Sequence, residues 1–100
     1  MKINLAGTNK FISIRCYRKF KMYGHWWGIH GQLYINEKGK TVASKQNYLC
    51  SCYTGGAYVG GVCELSVAAT FKLAKQFLIK KGKNETIKAI THILKKQKTL

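Results

Sequence analysis

The chain has no proline and no aspartate, and its only acids are Glu37, Glu64 and Glu85. Without proline, glycine alone punctuates the backbone, so loops are sought at the glycines. Without aspartate, and with each glutamate explained by a turn or a helix start, carboxylate-based metal catalysis has almost nothing to work with. A long apolar run is missing too. The longest uncharged stretch, Gln46 to Cys63, is interrupted by Asn, Ser, Thr and glycine. It falls short of the ~20 predominantly apolar residues of a membrane-spanning helix. Residues 1–10 hold no apolar segment of the secretory type, which points to a cytoplasmic protein.

What is present in excess is positive charge. Lys and Arg total 18 in 100 residues, a formal net charge of +15, with nine in residues 1–50 and nine in residues 51–100. The charge therefore belongs to the folded body rather than to a basic tail. Such a surface selects polyanions: nucleic acid, an acidic protein face or anionic lipid. Only Arg15 and Arg18 are arginines, and a lysine bias of this kind is also what a generic solvated surface shows. Hydrophobic residues at 46% and aromatics at 12%, spread along the chain, describe one globular domain over residues 1–100 with a single core.

Cys16, Cys50, Cys52 and Cys63 do not follow the spacing of a structural zinc site, which sets one close pair against a second pair or two histidines. On a strand Cys50 and Cys52 point to the same face, so they read as small buried side chains of a sheet core. Cys50 with Cys63 is the pair to test for a disulfide, which a cytosolic chain rarely keeps. No metal and no cofactor are expected.

The pattern predicts an α+β domain, with a four-stranded antiparallel sheet over about 10–62 and two helices, about 66–81 and 85–97, packed on one of its faces. Phe11 to Tyr23 alternates, with Ile12, Ile14, Cys16, Phe20 and Met22 on one side, interrupted by Arg18. A second strand carries Trp27, Ile29, Leu33 and Ile35 on one side and ends at Asn36-Glu37-Lys38-Gly39, a hairpin loop. The third lies within Thr41–Tyr53, and Thr54-Gly55-Gly56 turns into a short fourth around Ala57–Val59. From Val67 the period becomes helical, through Phe71, Ala74 and Leu78, with Ser66 as N-cap and Gly82 closing the helix. Asn84 is expected to cap the second helix, with Glu85 in its first turn and Ile87, Ile90 and Leu94 buried.

The chemistry of this layout concentrates in the first strand and the turn after it. Arg15, Tyr17, Lys19, Lys21 and Tyr23 alternate cations with rings on one face, and Arg18, His25 and Trp26 lie close by. Rings stack on bases while cations follow phosphates, so the pattern suits a single-stranded nucleic acid. Lys72 and Lys75 on the first helix extend the basic surface, as do the lysines that end both helices. Aromatic residues on a strand just as often cover a core, and the choice turns on which sheet face the helices take. The glycine-rich segment Tyr53–Gly61 lacks the lysine and the element order of a phosphate-binding loop, so turns explain its glycines better. His25, His30 and His92 are available for acid–base work, which leaves a metal-free ribonuclease as a minor reading. The sequence thus reads as a small, basic, non-enzymatic protein that binds RNA or single-stranded DNA. The alternative is a phage or mobile-element protein that binds and inhibits a host protein of nucleic-acid metabolism or defence, of the anti-restriction or anti-CRISPR type. A membrane-surface role ranks behind both, because the apolar edge of the last helix is needed inside the domain.

Overall fold

The computed structural model describes residues 1–4, 10–60 and 62–98. Along them run β1 (Lys2–Asn4), β2 (Phe11–Ser13), β3 (Arg18–Met22), β4 (His25–Ile35), β5 (Thr41–Cys52), α1 (Val67–Lys81) and α2 (Lys83–Lys98). Strands β3, β4 and β5 form an antiparallel meander in that order, and β1 and β2 form a separate two-stranded antiparallel sheet.

The turns follow from the residues that make them. Between β3 and β4, Tyr23 and Gly24 both have positive φ (56° and 76°). A two-residue type I′ loop demands this, because its twist matches that of the strands it joins. Between β4 and β5, Gly39 takes φ 75°, and the Asn36 side chain accepts the N–H groups of Lys38 and Lys40 at 3.0 Å. Halfway along this hairpin the register slips between Gly31 and Leu33, where a Cβ at Gly31 would collide with the Ser44 backbone.

The α+β class and the two C-terminal helices hold, but the single four-stranded sheet is corrected. The expected first strand, Phe11–Tyr23, splits in two. Its first half turns to the N-terminus: Lys2 stands opposite Ser13, the Met1 amine donates to the Ile14 carbonyl at 2.9 Å, and the Ile14 N–H donates to the Met1 carbonyl at 2.8 Å. Strand β1 spans three residues, too few for any periodicity to announce it. The chain rejoins the main sheet where the Tyr17 N–H donates to the Ile29 carbonyl at 2.8 Å, next to the Arg18 that interrupts the apolar alternation.

The fourth strand shrinks to isolated bridges, Ser51 with Tyr58 and Tyr48 with Glu64. Gly55 and Gly56, at φ 78° and 71°, curl the chain back onto β5, but the segment between the two bridges is longer than the stretch of β5 it faces. A continuous ladder is therefore impossible. The second helix begins at Lys83 rather than after Asn84. Gly82, φ 85°, makes this possible by serving both helices: its N–H donates to the Leu78 carbonyl at 3.0 Å, and its carbonyl accepts the Thr86 N–H at 3.1 Å and hydroxyl at 2.8 Å. Asn84 consequently sits inside the first turn.

Helix α1 starts at Ser66, whose side chain accepts the Ala69 N–H at 3.1 Å. Its buried Thr70, Ala74 and Leu78 recur every four residues and face β4 and β5. Helix α2 packs on α1 and contributes Ile90 to the core formed by Trp27, Ile29, Cys50, Cys52, Val59, Val62, Ala74 and Leu78. Each of the larger aliphatic ones, Ile29, Val59, Val62, Leu78 and Ile90, contributes about 1.5–3 kcal/mol when fully buried. Residues paired across antiparallel strands share a face. The registers therefore put Phe20, Trp27, Ile29, Cys50 and Cys52 toward the helices, and Lys19, Lys21, Trp26, Gly28 and Ser51 on the opposite face. That face is partly covered: a Cβ on Gly28 would lie 2.8 Å from Met1 Sδ and 3.0 Å from Cys16 Sγ. Among the described residues no helix is long and apolar enough to cross a membrane.

Candidate nucleic-acid interface

Strand β3 is an edge strand, so its side chains leave the sheet on both faces along one rim. On the face away from the helices Lys21 stands opposite Trp26, and Lys19 is opposite Gly28. Lys19 places its ammonium 5.0 Å from the centroid of the Trp26 ring, while the space over Gly28 is taken by Met1 Sδ and Cys16 Sγ. Trp26 is 45% exposed, unlike its neighbour Trp27 at 2%. Tyr53 extends this row, its N–H donating to the Trp26 carbonyl at 2.9 Å. Partial burial, and then a hydrogen bond with the Cys16 thiol, push the Tyr53 phenol up to about 12.

On the helix side of the same strand the Arg18 guanidinium lies 3.6 Å from the centroid of the Phe71 ring, with the Lys75 ammonium 5.2 Å from it. Phe20 meets Phe71 edge-on at 5.2 Å. Just before β3, Arg15 lies 4.7 Å from the Tyr17 ring, and Tyr17 meets Tyr48 edge-on at 5.2 Å. With only three glutamates in the chain, aromatic faces take the place of carboxylates as partners for these cations. The ring quadrupole attracts them for about 0.5–2 kcal/mol, according to how far the contact is shielded from water.

The structure thus divides the proposed platform. Lys19, Lys21 and Trp26 share one face, while Arg15, Tyr17, Arg18 and Lys75 gather around Tyr48 and Phe71. Tyr23 joins neither group. It lies in the type I′ turn, packs against the core and donates its hydroxyl to the Leu78 carbonyl at 2.9 Å. His25 is half-buried, with Nδ1 3.4 Å from the Thr54 hydroxyl. Lys72 is exposed on α1 beside Phe71. The sequence reading overlooked Tyr48, Tyr53 and Phe71 as ring partners. The spacing of Phe71 and Lys75, four apart on a helix, was the available signal.

A second polar feature spans strands β4 and β5. His30 and Ser51 are almost wholly buried, at 2% and 3% exposure, and His30 Nε2 lies 2.7 Å from Ser51 Oγ. His30 Nδ1 lies 2.7 Å from the Gly31 carbonyl, which can only accept, so Nδ1 carries the proton and Nε2 accepts from the serine. Burial pushes the His30 pKa below its ordinary 6.5, the Gly31 bond opposing in part. The cysteines are free thiols: Cys50 and Cys52 are buried, Cys16 half-buried and Cys63 exposed. Burial, then the neighbouring Cys52 and Cys16, push the Cys50 thiol up to about 12. No group of three or more His, Cys, Asp or Glu side chains able to hold a metal ion occurs among the described residues. Gly61, at the end of the glycine-rich segment, lies outside the described residues.

Comparison with protein-family models, with curated proteins and with solved structures finds no match.

Proposed function

We propose that this protein binds single-stranded nucleic acid, RNA or DNA, along the β3 rim and acts without catalysis, as a cytoplasmic protein. The observation that carries this reading is the exposed Trp26 ring, with Lys19 over its face and Lys21 opposite it on an edge strand. An exposed ring offers a stacking surface to any base, and the adjoining ammonium groups reach the phosphates on either side. Arg18 on the other side of the same strand, Arg15 just before it and Lys75 on α1 supply further cations for a backbone that bends around the edge. Binding should therefore be electrostatic in its main part and tolerant of sequence.

Fluorescence anisotropy of labelled single-stranded RNA, single-stranded DNA and duplex DNA over a salt series tests this directly. Trp26→Ala should weaken single-strand binding roughly 5- to 150-fold, the equivalent of losing ~1–3 kcal/mol of stacking. Lys19→Ala should lower the salt slope by about 1. Equal affinity for all three polymers, indifferent to Trp26, would leave only unspecific charge attraction. The search would then move to an acidic protein partner, such as the host enzyme of an inhibitory reading, whose complex should survive salt that strips off nucleic acid.

A further inference from the structure

On the helix side of the β3 rim two cations share one ring. The Arg18 guanidinium carbon lies 3.6 Å from the centroid of Phe71, and the Lys75 ammonium lies 5.2 Å from the same point. Phe71 is held from several sides: it packs against the core, meets Phe20 edge-on and stands one helical turn before Lys75 on α1. Two like charges drawn to one point repel each other, and a carboxylate between them would be the ordinary remedy. None is there. Among the described residues neither Arg18 nor Lys75 forms an ion pair, and Glu64, bound through its backbone to Tyr48, is a partner of neither.

The choice of residue narrows the ligand. The chain uses lysine for its cations everywhere except at Arg15 and Arg18, and both arginines are at this rim. Arg15 lies over Tyr17, whose N–H bonds to Ile29, the residue opposite Arg18. Lysines attract any polyanion, but a guanidinium presents a planar fork of N–H groups that matches two oxygens of one phosphate. At 3.6 Å from the ring centroid the Arg18 guanidinium stacks on Phe71, which leaves its in-plane donors directed away from the ring. Arg18 is exposed and Lys75 half-buried, so both are open to an anion from solvent. Two monocations are matched by a dianion. A phosphodiester inside a strand carries one charge, whereas a phosphomonoester carries close to two at neutral pH.

We infer that Arg18 and Lys75, held on Phe71, form a binding site for a phosphomonoester dianion, the terminal phosphate of the single strand that stacks on Trp26. This rests on the single-strand reading of the β3 rim and deepens it. The strand crosses the edge from Trp26 and ends at Phe71, and a phosphorylated end is preferred to a hydroxyl end.

The test compares one short single strand, labelled internally, in three forms: with a 5′-phosphate, with a 3′-phosphate and with hydroxyls at both ends. One phosphorylated form should bind about fivefold more tightly than the hydroxyl form, and which one it is gives the direction of the strand. Arg18→Lys keeps the charge at an exposed position and removes the fork. It should erase the preference while changing affinity for the hydroxyl form less than about twofold, and Lys75→Gln should reduce the preference as well. Trp26→Ala should weaken all three forms by one factor and leave the preference intact. The site is also read without a strand, since two arginines give two side-chain Nε–H signals in a nitrogen-correlated NMR spectrum. Inorganic phosphate should shift the Arg18 signal saturably, and chloride at equal ionic strength should not. Equal affinity for the three forms, with Arg18 unmoved by phosphate, would overturn this site and leave the Trp26 rim standing. A saturable Arg18 shift with no preference among the strands would overturn the assignment to a strand end in favour of a free phosphate compound. If no strand binds at all, the rim reading fails, and the Arg18 signal alone decides whether the phosphate site stands.

Discussion

Ser51 donates its hydroxyl proton to Nε2 of His30 across the β4–β5 hairpin at 2.7 Å, in a place where neither side chain meets bulk water. The bond fixes the imidazole tautomer, because Nδ1 is committed to the Gly31 carbonyl. Ser51→Ala would leave Nε2 as a buried acceptor with no donor. A loss of about 1–3 kcal/mol is expected on that account, measured by urea unfolding at neutral pH. A change below a few tenths of a kcal/mol would mean that water takes the place of the hydroxyl.

The same histidine sets a pH dependence. Burial holds its folded pKa below 6.5, so the native ring is neutral where the unfolded ring begins to take a proton. The stability due to this ring is full above the unfolded value and is lost as pH falls below it toward the folded pKa. The slope is at most about 1.4 kcal/mol per pH unit. Urea titrations from about pH 8 to about pH 5 should show this decline, and His30→Gln should flatten it, whatever its effect on absolute stability.

Thiol chemistry should separate the cysteines in order of exposure. Cys63 is exposed, and its thiol approaches the Gln32 side-chain oxygen at 3.7 Å. Cys50, raised to about 12, holds only roughly one part in ten thousand as thiolate near pH 8, and burial raises Cys52 as well. A disulfide reagent should therefore modify Cys63 in the native protein and reach Cys50 and Cys52 only after denaturant is added, as peptide mapping would show. Rapid native labelling of Cys50 would contradict the packing of α1 on the sheet.

The β3–β4 turn offers a further measurement. Gly24→Ala places a Cβ at φ 76°, where no neighbour crowds it, so its cost is backbone strain alone, about 1–2 kcal/mol. Tyr23→Phe removes the hydroxyl from the Leu78 carbonyl and should cost about 0.5–1.5 kcal/mol. The two effects need not add, since the residues are adjacent. Thermal melts of both single variants and of the double would resolve them.

Much of the fold is legible wherever a pattern runs long enough. Val67 to Leu78 repeats at the helical period, and Ser66 and Gly82 bracket it with residues whose chemistry ends helices. The Asn36–Gly39 loop declares itself through its glycine. Strand β1 escapes because Lys2-Ile3-Asn4 has no internal repeat, and its pairing with β2 is decided by backbone bonds that any residue can make. The division of the platform was hidden for a related reason: alternation along Phe11–Tyr23 assumes a continuous strand, and the break at residues 14–17 is a tertiary event. Arg18 signalled that break as an interruption, while its partner, Phe71, lies in a helix far along the chain. The His30–Ser51 pair carries no sequence signature, since a register between two strands creates it.

Three glutamates cannot neutralise 18 cations, and one of them, Glu85, is engaged at 3.6 Å with Lys88 within its own helix, where both side chains are largely exposed. The folded chain is consequently under a net outward electrostatic pressure that rings relieve only locally. Dissolved salt screens that pressure, and it also screens the attraction of any polyanion. Rising ionic strength should thus tighten the fold and loosen the complex together, and a bound polyanion should stabilise the protein most in dilute buffer, where its own repulsion is greatest.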